Sequence, residues 1–138
     1  MMKVVWDNPQ KTVIRLDYFC PINSWEEYRA AVHQAHTMAR SVRHSVSIIH
    51  NGQGVKMPSA GKNRALDELN RTIKDVPDNV DLLLSVTTSP LENRISRITT
   101  RTNSRADSMH AFMVDSIGMA YELVDAYESG EDLNNFVS

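Results

Sequence analysis

The stretch that decides the fold is Val80-Asp81-Leu82-Leu83-Leu84-Ser85-Val86. Its leucines run without interruption, a pattern typical of a strand that is covered on both faces in a parallel sheet. A turn-forming cluster, Pro77-Asp78-Asn79, precedes it. We therefore place Val80–Val86 at the centre of a sheet and interpret the rest of the chain outward from it.

A strand and a helix are predicted immediately upstream. The compact β-branched run Val46–Ile49 predicts the strand, and a loop over His50–Met57 follows it. Pro58 suits the first turn of a helix, where its missing N–H is harmless. The buried stripe of that helix is expected from Ala65, Leu66, Leu69 and Ile73.

The N-terminal part of the chain predicts a hairpin and a long helix. Val4–Trp6 and Thr12–Tyr18 have strand character and flank a polar turn. Ser24 and Glu27 form a capping box, in which the serine hydroxyl accepts from an orphan amide and the glutamate reaches back. Apolar residues then recur at helical spacing to about Arg40.

Downstream of the central strand, the sequence predicts a helix, a strand and a second helix. Pro90 opens the first helix, and Ala111–Val114 is the strand. Ser116 caps the last helix and Gly130 ends it. The residues expected to face the core are Leu91, Ile95 and Ile98 in the first of these helices and Ile117, Ala120, Tyr121, Val124 and Tyr127 in the last.

The predicted element order is therefore ββαβαβαβα. Alternating strands and helices favour the α/β class, with a four- to five-stranded, mainly parallel mixed sheet, an N-terminal antiparallel hairpin at its edge and about four helices. At 138 residues the chain has the length of a single domain. We expect that domain over residues 1–130 and a flexible acidic tail over residues 131–138.

The composition and the N-terminus indicate which partners and which compartment to expect. The apolar fraction of 41% and charged fraction of 23% are those of a globular protein, and the net charge of −2 gives no positive field for nucleic acid. The single cysteine, Cys20, excludes an intrachain disulfide and fits a reducing compartment. The N-terminus reaches a charged residue too soon for a signal peptide, and no apolar run would span a membrane. We therefore expect a cytoplasmic protein.

Six short stretches of packing and capping residues, spread over nearly the whole chain, recur in the order of one known family. They are Val5–Pro9, Val13–Arg15, Ser24–Glu27, Ser41–Val46, Pro58–Gly61 and Phe112–Ser116. They resemble the STAS-domain fold of anti-sigma-factor antagonists, and most closely its divergent SpoIIAA-like, or STAS/Sec14-like, branch. The resemblance implies the fold outlined above and a role in regulated binding rather than in catalysis.

The resemblance also implies a candidate phosphorylation site. In the signalling members, a kinase phosphorylates the serine directly before a glycine in an Asp-Ser-Ser-Gly-like motif, and the added charge breaks the complex with the partner. The corresponding stretch here is Pro58-Ser59-Ala60-Gly61, so alanine replaces that serine. Ser59 is the remaining candidate, because a helix N-terminus tolerates a phosphate. The alternative is that Ser59 only caps the helix.

A glycine-rich loop offers the first candidate binding site. Such a loop beyond the carboxyl end of a strand is a common ligand site in α/β sheets. It does not form a P-loop, because Lys56 stands where that motif requires its first glycine. The candidate residues of the loop and the following helix are Asn51, Gly52, Gly54, Ser59, Gly61 and Lys62.

A basic stripe offers the second candidate site. Arg94, Arg97, Arg101 and Arg105 recur at steps of three and four, and share one face if the helix persists that far. Such a face would contact a protein or a small anion. The alternative is a solvated face balanced by the acidic last helix, with Glu122, Asp125 and Glu128. Because no aromatic residues are interleaved with the arginines, we expect no nucleic-acid partner.

The remaining chemistry-bearing residues predict no reaction. His33 and His36 share one predicted helix, with His36 near its core stripe and His33 toward solvent. His50 lies at a strand end, where active sites tend to lie, but no nucleophile neighbours it in sequence. No triad, dyad or metal-ligand spacing is present, so we predict no catalytic residue, no metal and no cofactor.

Two functions follow as hypotheses. The first is a regulatory module that docks a protein partner, which the resemblance implies is a regulatory kinase or a sigma-regulator. The alternative is a carrier of a small anionic or lipidic ligand, which the Sec14-related side of the resemblance implies. We also expect a homodimer, because the hairpin edge and seven methionines leave adaptable apolar surface, and sedimentation would test it.

Overall fold

The structure is a computed structural model that describes residues 2–19, 22, 24–52, 61–86, 95–97 and 109–136. Its strands are β1 (Met2–Trp6), β2 (Val13–Tyr18), β3 (Val46–Asn51), β4 (Val80–Val86), β5 (Ile95–Arg97) and β6 (His110–Val114). Its helices are α1 (Trp25–Arg40), α2 (Gly61–Lys74) and α3 (Ile117–Glu128), followed by a 3₁₀ turn at Leu133–Phe136.

The strands of this part of the chain form one mixed sheet in the order β1-β2-β3-β4-β6-β5. The four inner strands β2, β3, β4 and β6 are parallel, whereas β1 and β5 lie antiparallel on the two edges. The predicted α/β class, mainly parallel sheet and N-terminal hairpin edge are confirmed. β4 lies between β3 and β6, as its unbroken leucine run predicts.

The sheet has six strands rather than four or five, because β5 occupies part of a predicted helix. Ile95–Arg97 pairs antiparallel with Phe112–Val114 along the outer edge of β6. Ile95 is β-branched and only 4% exposed, so this pairing satisfies its backbone and buries its side chain together. The helix predicted from the spacing of Leu91, Ile95 and Ile98 is thus wrong at Ile95. Leu91 and Ile98 lie outside the described residues.

The third strand runs two residues beyond its predicted end at Ile49. His50 and Asn51 pair with residues of β2 on one side and of β4 on the other. A strand with neighbours on both sides can satisfy its backbone hydrogen bonds at polar residues as well as at apolar ones. Both residues therefore belong to the sheet and not to the following loop.

In the part of the chain that the structure describes, two helices cover one face of the sheet and one helix covers the other. We call the face under α1 and α2 the helix-pair face and the face under α3 the single-helix face. The buried residues Ile48 and Ile73 belong to the first, whereas Leu84, Phe112 and Leu123 belong to the second. Because side chains alternate along a strand, His50 follows Ile48 onto the helix-pair face.

The predicted helix ends are confirmed for α1 and α3. The hydroxyl of Ser24 accepts from the amide of Glu27 at 3.2 Å, and that of Ser116 accepts from Met119 at 3.1 Å. Gly130, just past α3, has φ +80°, the left-handed conformation that favours glycine at a helix end. No helix in the described ranges is long and apolar enough to cross a membrane.

The buried stripe of α3 is rotated from its prediction. The fully buried residues are Met119, Ala120, Leu123, Val124 and Ala126, and the predicted Ile117, Tyr121 and Tyr127 lie half-buried at the rim. A tyrosine at the rim keeps its hydroxyl near water or a polar partner, which a fully buried position would deny it. Leu133 is buried in the turn after α3, within the stretch predicted as a flexible tail.

Candidate functional site

A concave feature of the described surface lies between α1 and α2. It has a volume of about 690 Å³, and its walls are side chains between residues 28 and 40 and between residues 68 and 78. Ligand sites commonly have volumes of about 300–1,000 Å³. We call this feature the α1–α2 cleft.

One stripe of α1 forms the floor and one wall of the cleft. Tyr28, Val32 and His36 are four residues apart, so they lie one above another on the same helix face. All three are buried, and the ring of Tyr28 lies against His50 of the sheet while its hydroxyl reaches Thr72 of α2. The cleft therefore has an apolar floor with a polar side chain at each end.

A hydrogen-bond chain joins the two helices at the first end. The hydroxyl groups of Tyr28 and Thr72 are 2.9 Å apart, and the Thr72 hydroxyl donates to the carbonyl oxygen of Glu68 at 2.9 Å. Because the threonine proton is used on that carbonyl, the Tyr28 hydroxyl must donate to Thr72. Burial raises the pKa of Tyr28, so the phenol keeps the proton that this bond needs.

An ion pair stands beside this chain. The guanidinium of Arg29 donates to both carboxylate oxygens of Glu68, with the shortest contact at 2.6 Å. The Glu68 residue is only 2% exposed, whereas the Arg29 side chain is 37% exposed. A carboxylate removed from water needs a positively charged partner, and Arg29 provides it. The pair also fixes the spacing of α1 and α2.

His36 lies at the other end of the floor. It is 3% exposed, and its Nε2 atom is buried without a hydrogen-bond partner in the part of the chain that the structure describes. Burial and, to a smaller extent, the positive charge of Arg40 lower the pKa of His36 to about 4, while Asp75 opposes this. The ring is therefore neutral near pH 7.

A second buried histidine lies under the same helices. The hydroxyl of Tyr18 lies 2.8 Å from Nδ1 of His50, and the ring of Tyr28 lies against the imidazole with centroids 6.4 Å apart. Burial lowers the pKa of His50 to about 3, so the imidazole is neutral near pH 7, and in the tautomer protonated at Nε2 its Nδ1 accepts from the phenol. Burial also raises the pKa of Tyr18 well above its usual value, which keeps it a donor.

The outer rim of the cleft is charged. Arg40 donates to the backbone carbonyl of Asp75 at 3.1 Å. Arg71 and Lys74 are exposed, and neither side chain makes a hydrogen bond or ion pair with any described residue. Asp75 and Asp78 stand at the same end, so the rim carries charges of both signs with two cations available.

The predicted loop site is only partly within the described residues. Asn51 ends β3, and its amide donates to a carboxylate oxygen of Asp17 at 3.1 Å. Gly52 follows, and a Cβ atom there would lie 3.4 Å from the Tyr18 ring. Gly61 and Lys62 are the first residues of α2. The remaining members, Gly54 and Ser59, lie outside the described residues.

The predicted arginine stripe is wrong where the structure describes it. Arg97 ends the strand β5 and pairs with Phe112, so no helix places it beside its predicted neighbours. Arg94, Arg101 and Arg105 lie outside the described residues. β5 and β3 are separated by two strands, roughly 14 Å at the usual strand spacing. The described sheet therefore does not join Arg97 to Asn51 in one site.

Sequence reasoning missed most of the cleft. It placed His36 on the core side of its helix and His33 toward solvent, and both placements are confirmed. Glu68 and Thr72 were not predicted as site residues. Their available signal is that they stand four apart beside the predicted buried stripe of α2, where a polar side chain can be buried against a neighbouring helix.

The polar groups described here suit binding. No set of three or more His, Cys, Asp or Glu residues in the described ranges could hold a metal ion. Comparisons with protein-family models, with curated proteins and with solved structures return no match for this chain. The function is therefore argued from the cleft and from the resemblance noted in the sequence.

Proposed function

We propose that this chain is a non-catalytic regulatory module of the STAS type, which binds a protein partner over the outer surfaces of α1 and α2. The observation that carries the proposal is a pair of exposed cations on α2 beside an open cleft, Arg71 and Lys74, whose side chains have no partner among the described residues. Charges available on a rigid surface select a partner and speed its encounter more than they add affinity.

The fold supports this choice of surface. The mainly parallel sheet with an antiparallel hairpin edge agrees in outline with the fold that the resemblance implies, and the resemblance assigns partner docking to the second helix and the loop before it. The Arg29–Glu68 pair and the Tyr28–Thr72 bond hold α2 against α1. A partner would therefore meet a surface whose shape is set before binding.

Site-specific crosslinking tests the proposal. A photo-crosslinking residue at the exposed Asn70 of α2 should capture a partner from cytoplasmic extract, and the same residue at the exposed Glu122 of α3 should not. Arg71→Glu/Lys74→Glu should then reduce capture by about tenfold, the size expected for two rim charges.

A matched variant separates a local effect from net charge. Lys3→Glu/Arg43→Glu makes the same change of charge at two exposed residues outside the cleft, and should leave capture unchanged. Equal loss in both double variants, or equal capture from Asn70 and Glu122, would contradict docking over α1 and α2.

One observation favours a second function, that of a small-molecule carrier. The α1–α2 cleft has the volume of a ligand site, and His36 is buried at its floor without a hydrogen-bond partner among the described residues. A protein surface used only for docking has no need of such a group. The two functions are compatible, because the cleft lies between the helices and the cations lie on its rim.

A further inference from the structure

The unpartnered histidine at the floor of the α1–α2 cleft points to a bound group. Nearly all buried polar atoms in folded proteins have a hydrogen-bond partner, because an unsatisfied one keeps the cost of its lost water. His36 is 3% exposed, and its Nε2 makes no hydrogen bond within the described chain. A ligand atom in the cleft would supply the missing partner.

The charges around His36 select the sign of that ligand. Arg40 acts on the imidazole more strongly than Asp75 does, so the local field favours negative charge. Arg71 and Lys74 line the same cleft without partners among the described residues. Glu68 brings no net charge to the cleft because Arg29 pairs with it.

The floor of the cleft selects the body of the ligand. Val32, Val76 and Pro77 line it together with the ring of Tyr28, whose hydroxyl is already used on Thr72. These groups offer apolar contact and no free donor. A volume of about 690 Å³ is also far larger than a bare inorganic anion needs.

We propose that the α1–α2 cleft binds a small organic acid, whose carboxylate accepts hydrogen bonds from His36 and from the rim cations while its short apolar body lies on Val32 and Val76. This inference rests on the carrier function proposed above and names its class of ligand. The chemistry is that of a carboxylate attached to an aliphatic chain, with no requirement for a particular metabolite.

Matched probes test it with the full chain in solution. Hexanoate, hexanamide and inorganic phosphate are titrated separately while backbone and imidazole NMR signals are recorded. Hexanoate should bind saturably and shift signals of His36, Arg71 and their neighbours in α1 and α2. Hexanamide, which lacks the charge, and phosphate, which lacks the apolar body, should each bind at least about fivefold more weakly.

Two variants locate the site. His36→Leu keeps an apolar floor and removes the donor, and Arg71→Gln/Lys74→Gln removes charge from exposed positions that the fold does not need. Each should weaken hexanoate binding by about tenfold or more, near the low end of the range for a hydrogen bond to a charged group. The control His110→Gln changes an exposed histidine on the opposite face and should leave binding unchanged.

Three outcomes would overturn the inference. They are equal binding of hexanoate and hexanamide, hexanoate binding that neither cleft variant weakens, and no saturable shift of cleft signals at tens of millimolar probe. Crosslinking of a protein at Asn70 with no hexanoate binding would leave the docking proposal standing and remove the organic acid. Hexanoate binding without any crosslinked partner would support the organic-acid site and remove the docking proposal.

Discussion

The two faces of the sheet bury different chemistry. On the single-helix face, Leu82, Leu84, Phe112 and Leu123 are fully buried and form an apolar layer under α3. The helix-pair face also has an apolar core, but it buries His36, His50, Glu68 and Thr72 as well. Apolar side chains accept any close neighbour, whereas each buried polar group needs a particular partner at a particular distance.

The number of described helices on each face accounts for the difference. A single helix over a sheet meets only the sheet, whereas two helices side by side also meet each other along a seam. Polar side chains at that seam can reach partners across it, as Tyr28 reaches Thr72 and Arg29 reaches Glu68. The seam is also where the cleft opens, so the candidate site follows from the pairing of α1 with α2.

The single-helix face buries fewer of the described polar residues, Asp17 and Ser47, and its charged cluster lies at a margin. Arg15 donates to Asp17 at 2.9 Å and to Tyr121 of α3 at 3.0 Å, and it also pairs with Asp7. Burial alone would lower the pKa of Arg15, but the hydrogen bonds of Tyr121 and Asp17 and the nearby carboxylates raise it. This cluster ties the hairpin to α3 and leaves the apolar layer dry.

Truncation of the apolar layer should give the largest loss of stability. Phe112 is 0% exposed at the centre of the single-helix face. Phe112→Ala should lower the free energy of unfolding by about 3–5 kcal/mol, because it removes a buried ring and leaves a cavity. Equilibrium urea unfolding measures this loss.

A conservative control accompanies that truncation. Phe112→Leu should cost less than about 1.5 kcal/mol, since most of the volume is kept. Hexanoate binding per folded molecule should be equal in both variants, because the cleft lies on the other face. If hexanoate binding per folded molecule fell together with the free energy of unfolding, the two faces of the sheet would be coupled.

The sequence predicts the apolar layer better than the seam. The leucines of Val80–Val86, the β-branched residues of β3 and the caps at Ser24 and Ser116 all act through local pattern, and their elements are confirmed. Ile95 shows the limit of pattern. Its spacing fits a helix, but the unpaired edge of β6 offers backbone hydrogen bonds that a sequence window cannot reveal.

The seam depends on contacts between distant residues. Arg29 and Glu68 are 39 positions apart, and Tyr28 and Thr72 are 44 apart, so no local motif marks either pair. His36 could be placed on the core side of α1 from its helical phase alone. That its Nε2 atom would lack a hydrogen bond depends on how α2 packs, which periodicity does not determine.

Acid should weaken the helix-pair face next. Histidine in an unfolded chain titrates near 6.5, whereas burial lowers the pKa of His36 to about 4 and that of His50 to about 3. The unfolded chain therefore binds more protons in this interval. Stability that is fully present above about pH 6.5 is lost as the pH falls, by about 2 kcal/mol for each histidine at about pH 5.

One substitution tests how much of this pH dependence comes from His50 under the two helices. His50→Asn keeps an acceptor near Nδ1 for the Tyr18 hydroxyl and cannot titrate, so urea unfolding between pH 7 and about 5 should show roughly half the wild-type loss. His110→Asn removes an exposed histidine from the single-helix face and should preserve the full loss. A loss unchanged by His50→Asn would mean that carboxylates dominate this range.

The smallest expected effect compares one hydroxyl on each face. Tyr28→Phe removes the donor to Thr72 inside the seam and should lower the free energy of unfolding by about 1 kcal/mol, the usual net value of a buried hydrogen bond. Tyr121→Phe removes a half-buried partner of Arg15, which keeps Asp7 and Asp17, and should cost only a few tenths of a kcal/mol. Parallel urea curves measure both. Equal losses would mean that a hydrogen bond in the seam contributes no more to the free energy of unfolding than one at the margin of the single-helix face. The contrast between the two faces would then rest on their apolar packing alone.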